Sequence, residues 1–108
     1  MSRTIPKKTL ESEIEKYLRV KVSQAGGVTE KVTVLGSRGF FDRLVLLPGG
    51  NIIFAEIKKP RGSVTSVHQR ARHELYRHLG ATVTIIKTFA DVDLLVDQAA
   101  NGSVQKSA

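Results

Sequence analysis

Two short apolar runs, Arg43–Leu47 and Asn51–Ile57, flank the turn residues Pro48-Gly49-Gly50, and this arrangement dictates a β-hairpin in the middle of the chain. Both runs are apolar on both faces: Leu44 and Leu46 back onto Val45 and Leu47, and Ile52 and Phe54 onto Ile53 and Ala55. Strands of that kind belong in the centre of a sheet covered by helices. The hairpin carries Asp42 at its entrance and Glu56 and Lys58 at its exit. Side chains alternate with a period of two, so Glu56 and Lys58 share a face. A two-residue loop at Gly49-Gly50 sets Asp42 opposite Ile57. A three-residue loop with a glycine at positive φ sets it opposite Glu56. The longer loop is the expectation, and it gathers Asp42, Glu56 and Lys58 at one end of the sheet.

Two carboxylates facing each other on neighbouring strands repel. A divalent cation removes that cost. Mg²⁺ takes one or two protein carboxylates and leaves its other positions to water and substrate phosphate, with Mn²⁺ as its substitute. Lys58 adds a compact positive charge beside the same phosphate. The plainer reading is that Asp42 ends a turn while Glu56 pairs with Lys58 or Lys59 at a solvated strand end. On this pattern alone both readings stand.

The remaining chain frames the hairpin. With 108 residues it holds one domain, taken as 9–99, between a flexible basic start (1–8) and a polar tail (100–108). There is no cysteine, which excludes disulfides, thiolate metal sites and a cysteine nucleophile. No apolar run approaches the roughly 20 residues that span a bilayer, and the first residues lack the apolar stretch of a signal peptide. No membrane partner is expected. The formal charge of +7 favours a polyanionic partner.

Thr9–Ser23 reads as a helix capped by Thr9, with Leu10, Ile14, Tyr17 and Leu18 on its inner face. Its early acids and late bases suit the helix dipole. Glu11 and Glu15 lie along the edge of the inner face. Thr29–Leu35 reads as a strand in which Lys31 is either a solvated residue or a phosphate contact. Gly36-Ser37-Arg38-Gly39 turns the chain, and Arg38 reaches a phosphate if the turn approaches a ligand. Lys59-Pro60-Arg61 ends the hairpin as a basic loop.

A second helix begins near Ser66, where Ser66 and Gln69 have capping-box spacing, and stops at Gly80. Ala71, Leu75 and Leu79 are its expected buried stripe. Gln69, Arg72, His73 and Tyr76 lie on another side, with Arg70 and Arg77 adding charge. His68, His73 and His78 do not share a face and read as surface residues rather than metal ligands. Ala81–Lys87 is a last strand, and Thr88 to about Ala99 a closing helix with Val92, Leu95 and Val96 inward. Asp91 and Asp93 suit the start of that helix. The order α-β-β-β-α-β-α describes an α/β sandwich, a mixed sheet flanked by helices.

The series Glu11, Gly39, Asp42, Glu56, Lys58, Gln69, Gly80 resembles the virus-type replication–repair nuclease (VRR-NUC) domain, a branch of the PD-(D/E)XK nucleases, from about Glu11 to about Val96. The family usually has proline before the aspartate, where this chain has Phe41. The resemblance implies a restriction-endonuclease-like core and a Mg²⁺- or Mn²⁺-dependent endonuclease acting on DNA. Asp42, Glu56, the carbonyl of Ile57 and a glutamate of the first helix would hold the metal, directly or through water for the last. Glu11 matches that glutamate, with Glu15 the second choice. Lys58 would act on the water or the phosphate and Gln69 would support it.

Lys31, Arg38, Lys59, Arg61, Arg70 and Arg72 are the expected DNA contacts. Stand-alone members of the family resemble homodimers acting on branched DNA such as four-way (Holliday) junctions, in the service of DNA repair. Phe40, Phe41 and the first helix are the expected dimer contact. The expected setting is intracellular, in the cytoplasm of a bacterial or phage-infected cell. The alternatives are a non-catalytic basic nucleic-acid-binding module and an RNA-binding structural protein, the latter disfavoured by the scarcity of aromatic stacking platforms.

Overall fold

The computed structural model of the chain describes residues 10–33, 42–59 and 65–102. Its elements run α1 (Glu11–Gln24), β1 (Val28–Lys31), β2 (Arg43–Leu47), β3 (Asn51–Ile57), α2 (Val67–His78), β4 (Thr82–Ile86) and α3 (Phe89–Ala100). The strands form one sheet in the order β1-β2-β3-β4. β1–β2 and β2–β3 are antiparallel, whereas β3–β4 is parallel after the α2 crossover. The order and the mixed sheet between helices agree with the sequence reading.

One face of the sheet carries the core. Val45, Leu47, Ile53, Ala55, Ile57 and Ile86 pack there against Ile14, Leu18 and Val22 of α1 and Val92, Leu95 and Ala99 of α3. The helical residues recur at three- and four-residue intervals, the spacing that lines up one face. The chain passes from α1 to β1 through Gly27, where a Cβ would collide with the carbonyl oxygen of Leu46. Glycine is required because two backbones approach each other there. Among the described residues no helix is long and apolar enough to cross a membrane.

Several expectations need correction. Leu10, not Thr9, stands at the N-cap of α1, and the Glu13 carboxylate accepts the Leu10 N–H at 3.1 Å. Thr9 itself, residues 1–8, Phe40, Phe41 and the tail from 103 lie outside the described residues. The first strand ends at Lys31. One further bond, Val32 N–H to Asp42 O at 3.0 Å, carries its pairing to the entrance of the hairpin.

β2 and β3 are central, as read, but only one of their faces is fully buried. On the other, Leu46 and Ile52 are exposed, and Phe54 is covered edge-on by Tyr76 of α2, with centroids 5.2 Å apart. The largest difference is in α2. Ala71, Leu75 and Leu79 are exposed, and Gln69, Arg72, His73 and Tyr76 turn toward the sheet. His73 is only 2% exposed, against the expectation of a surface histidine.

Candidate active site

The hairpin loop is Pro48-Gly49-Gly50, because Leu47 pairs with Asn51 and Arg43 with Ala55. Gly49 and Gly50 sit at φ 89° and 78°, where a side chain would be strained. The Asn51 amide donates to Pro48 O at 2.8 Å and closes the loop. Continuing the register by one step sets Asp42 opposite Glu56. The Asp42 carboxylate accepts the Ile57 N–H, 3.3 Å from each oxygen. It is thereby held against the end of β3 beside Glu56.

Glu56 is 4% exposed. Its Oε2 accepts from Gln69 Nε2 at 2.7 Å and lies 3.7 Å from Lys58 Nζ. Lys58 Nζ donates to Gln69 Oε1 at 2.8 Å. Gln69 therefore presents its donor to the carboxylate and its acceptor to the ammonium, the one orientation that satisfies both. The same Oε1 accepts the Ser66 N–H at 3.1 Å, and Ser66 Oγ accepts the Gln69 N–H at 3.0 Å. The capping box that starts α2 also fixes Gln69 over the site. One side chain thus makes both the capping bond and the contacts with Glu56 and Lys58.

The electrostatics are those of two crowded acids. Burial, followed by the charge of Asp42, pushes Glu56 up to about 7, against the opposing pull of Lys58. Burial also raises Asp42, and the charges of Glu11 and Glu15 add to it, while the Ile57 N–H and Arg43 pull it down. Glu56 Oε1 is buried and has no hydrogen-bond partner among the described residues. A buried carboxylate oxygen without a donor is costly. Oxygen donors in this state fit a hard divalent cation.

The other proposed ligands are placed differently. Glu11 is exposed at the first turn of α1 and lines a pocket of about 280 Å³ with Ser12, Glu15, Lys31, Asp42 and Ile57. Its charge is felt by both Asp42 and Glu56. Yet no three His, Asp or Glu side chains among the described residues are gathered closely enough to hold a metal together. Asp42 and Glu56 face each other, and Glu11 and Ile57 line one pocket with Asp42. Glu15, the second choice, is engaged elsewhere: its Oε2 accepts from Arg43 Nη2 at 2.6 Å and Nε at 3.1 Å.

Among the expected DNA contacts, Lys31 opens onto that pocket and Lys59 follows Lys58 past the strand end. Arg70 is exposed on α2. Arg72 is half-buried, its guanidinium 6.0 Å from the Tyr76 ring centroid. Arg38 and Arg61 lie outside the described residues. Asp91 caps α3 through the N–H groups of Lys87 and Thr88, at 2.9 and 3.1 Å. Asp93 accepts from the Tyr17 hydroxyl at 2.7 Å. Neither belongs to the site.

Arg43 is the residue that sequence reasoning missed. It is 6% exposed and ties α1 to the strand that carries Asp42. The available signal was a cation inside an otherwise apolar strand, next to a suspected ligand.

No protein-family model matches the chain. It is 41% identical over 76 residues to a protein named "Putative nuclease p44" from Acyrthosiphon pisum secondary endosymbiont phage 1, a match covering 70% of this chain and 81% of that protein. Its fold superposes on a solved VRR_NUC domain with a TM-score of 0.74 and 36% identity, over 81% of this chain and 94% of that one. The hairpin register, the restriction-endonuclease-like sheet and these two likenesses agree: the chain belongs to the VRR-NUC family.

Proposed function

We propose that this protein is a Mg²⁺- or Mn²⁺-dependent endonuclease that hydrolyses DNA phosphodiester bonds. The observation that carries the reading is the pairing of Asp42 with Glu56, whose buried Oε1 has no donor among the described residues, beside Lys58. Asp42, Glu56 and the Ile57 carbonyl would hold the ion, with Glu11 reaching it through water. Bound there, a divalent ion supplies charge stabilisation for a phosphoryl oxygen and lowers the pKa of a bound water.

The chain's own residues do the rest. Lys58 places a positive charge beside the two acids, where charge develops on a phosphate in the transition state. Gln69 keeps the Lys58 ammonium and the Glu56 carboxylate in fixed relation through its two short bonds. The rigid strand ends hold these groups more tightly than loops would.

Branched DNA, four-way junctions in particular, is the proposed substrate class, and the proposed acting form is a homodimer. Two identical sites related by a two-fold axis would cut two strands of a symmetric junction. The phage origin of the relative is in keeping with action inside an infected bacterial cell.

The test is incubation of labelled four-way, flap and linear DNA with the protein in Mg²⁺ and in EDTA. Metal-dependent nicking is expected. Asp42→Ala abolishes it, Lys58→Ala lowers the rate about 10²–10³-fold, and Gln69→Ala about 10–100-fold. Binding without nicking, indifferent to metal and to these substitutions, makes the protein a non-catalytic nucleic-acid-binding module instead.

A further inference from the structure

Between α2 and the edge strand β4 runs a groove of about 360 Å³ lined by Thr65, Arg70, His73, Glu74, Arg77 and Ile85. Ile85 pairs with Glu56 in the parallel ladder, so its side chain shares a sheet face with the Glu56 carboxylate and neighbours it. One wall residue of the groove, Ile85, therefore stands next to Glu56 on the neighbouring strand.

Arg70 and Arg77 are both exposed on its α2 side. Neither forms a salt bridge with a carboxylate among the described residues, even though Glu74 lies between them at helical spacing. Arg77 Nη2 lies 3.4 Å from Val83 O, which holds its head over β4. At a rise of 1.5 Å per residue the two arginines stand about 10 Å apart along the helix, far enough to meet two separate phosphates of one strand. Burial first, then the charges of Arg77 and Lys58, hold His73 below the ordinary imidazole range. The floor is thus neutral at physiological pH, and the positive charge of the groove sits on its two arginines.

The geometry points to this groove as a track for one DNA strand, with Arg70 and Arg77 taking two separate phosphates of the strand that passes the Glu56–Lys58 cluster. The assignment rests on the nuclease reading for its ligand and extends it to the route the strand follows. Arginine suits the task because its planar fork matches phosphate oxygens and stays charged. Glu74 on the same wall opposes any anion and limits the affinity of the track. These are contacts to the backbone, so they confer affinity without base preference.

The test measures binding of the full chain to a fluorescein-labelled DNA duplex in EDTA across a NaCl series. Each phosphate contact contributes about 0.9 to the slope of log K against log salt. Arg70→Gln and Arg77→Gln should each reduce the slope by about that amount, and the double variant by about twice it. Arg77→Lys should keep most of it, Glu74→Gln should tighten binding, and Lys16→Gln on α1 should leave the slope unchanged. Thermal unfolding by circular dichroism identifies variants that fail to fold, and exposed Arg70 does not depend on the α2–β4 contact.

A folded double variant with the wild-type slope overturns the track, as does an equal loss in Lys16→Gln. Cleavage by the wild-type protein in Mg²⁺ separates the two claims. Nicking with an unchanged slope removes the track and leaves the nuclease. A reduced slope with no nicking under any metal does the reverse.

Discussion

Glu56 is the residue on which the site's energetics turn. Without a cation, its carboxyl titrates near 7 in the folded chain and near 4.5 when unfolded. Between those values the native state holds a proton that the unfolded state has released, so stability falls as pH rises through this window. The gap corresponds to a loss on the order of 3 kcal/mol. In EDTA, urea denaturation at pH 4.5 and above pH 7 should show this loss relative to Glu56→Gln, which has no such titration. Added Mg²⁺ should flatten the wild-type curve. Parallel curves for the two proteins would show that the acid pair is not under electrostatic load.

Arg43 and Glu15 give the second residue-scale expectation, because their burial is unequal: 7% of the Arg43 side chain is exposed and 29% of that of Glu15. Breaking a buried pair is costly mainly for the charge left behind. Glu15→Ala strands Arg43 in the interior and should cost about 3 kcal/mol, near the lower end of that effect. Arg43→Leu leaves a glutamate that can turn to water and should cost about 1 kcal/mol. Chemical denaturation of the two variants reads the difference, and equal losses would mean that the pair itself, not burial of one member, sets the cost.

At the scale of elements, the hairpin was legible because its signals were local. Turn residues, strand alternation and the three-residue loop together fixed which carboxylates faced each other. α2 was legible in its limits but not in its orientation. Ser66 and Gly80 marked its ends from the sequence, since caps are decided by backbone groups within one turn. Its orientation was misjudged on a rule that usually holds, that the apolar stripe faces the core. Here Gln69 is bound to both Glu56 and Lys58, and those bonds commit the Gln69 side of the helix to the sheet. His73 and Tyr76 follow it inward at helical spacing, and the leucines turn out. The Arg43–Glu15 pair was illegible for another reason: it joins elements 28 residues apart, which no local pattern encodes.

For the whole molecule, the inverted helix leaves a stripe that is exposed among the described residues. Val67 is 74% exposed, Leu75 50% and Leu79 72%, with Ala71 between them. The two-fold pairing proposed above needs a self-complementary surface. This stripe offers one on the outer side of α2, facing away from the Asp42–Glu56 pair and off the arginine groove. A single stripe on a 12-residue helix falls short of the roughly 800 Å² per partner of a standard interface, so pairing through α2 should be concentration-dependent. Sedimentation velocity should show wild-type protein passing from monomer to dimer as concentration rises, while Leu75→Glu/Leu79→Glu stays monomeric. The double variant should still nick DNA, because neither leucine touches the acid–lysine cluster, but it should lose paired cutting of the two strands of a four-way junction. A variant that dimerises like wild type places the contact elsewhere, on α1 with its exposed Val20 or on residues 40 and 41. A wild-type protein that stays monomeric at every concentration, yet cuts both strands, would mean that each protomer acts alone.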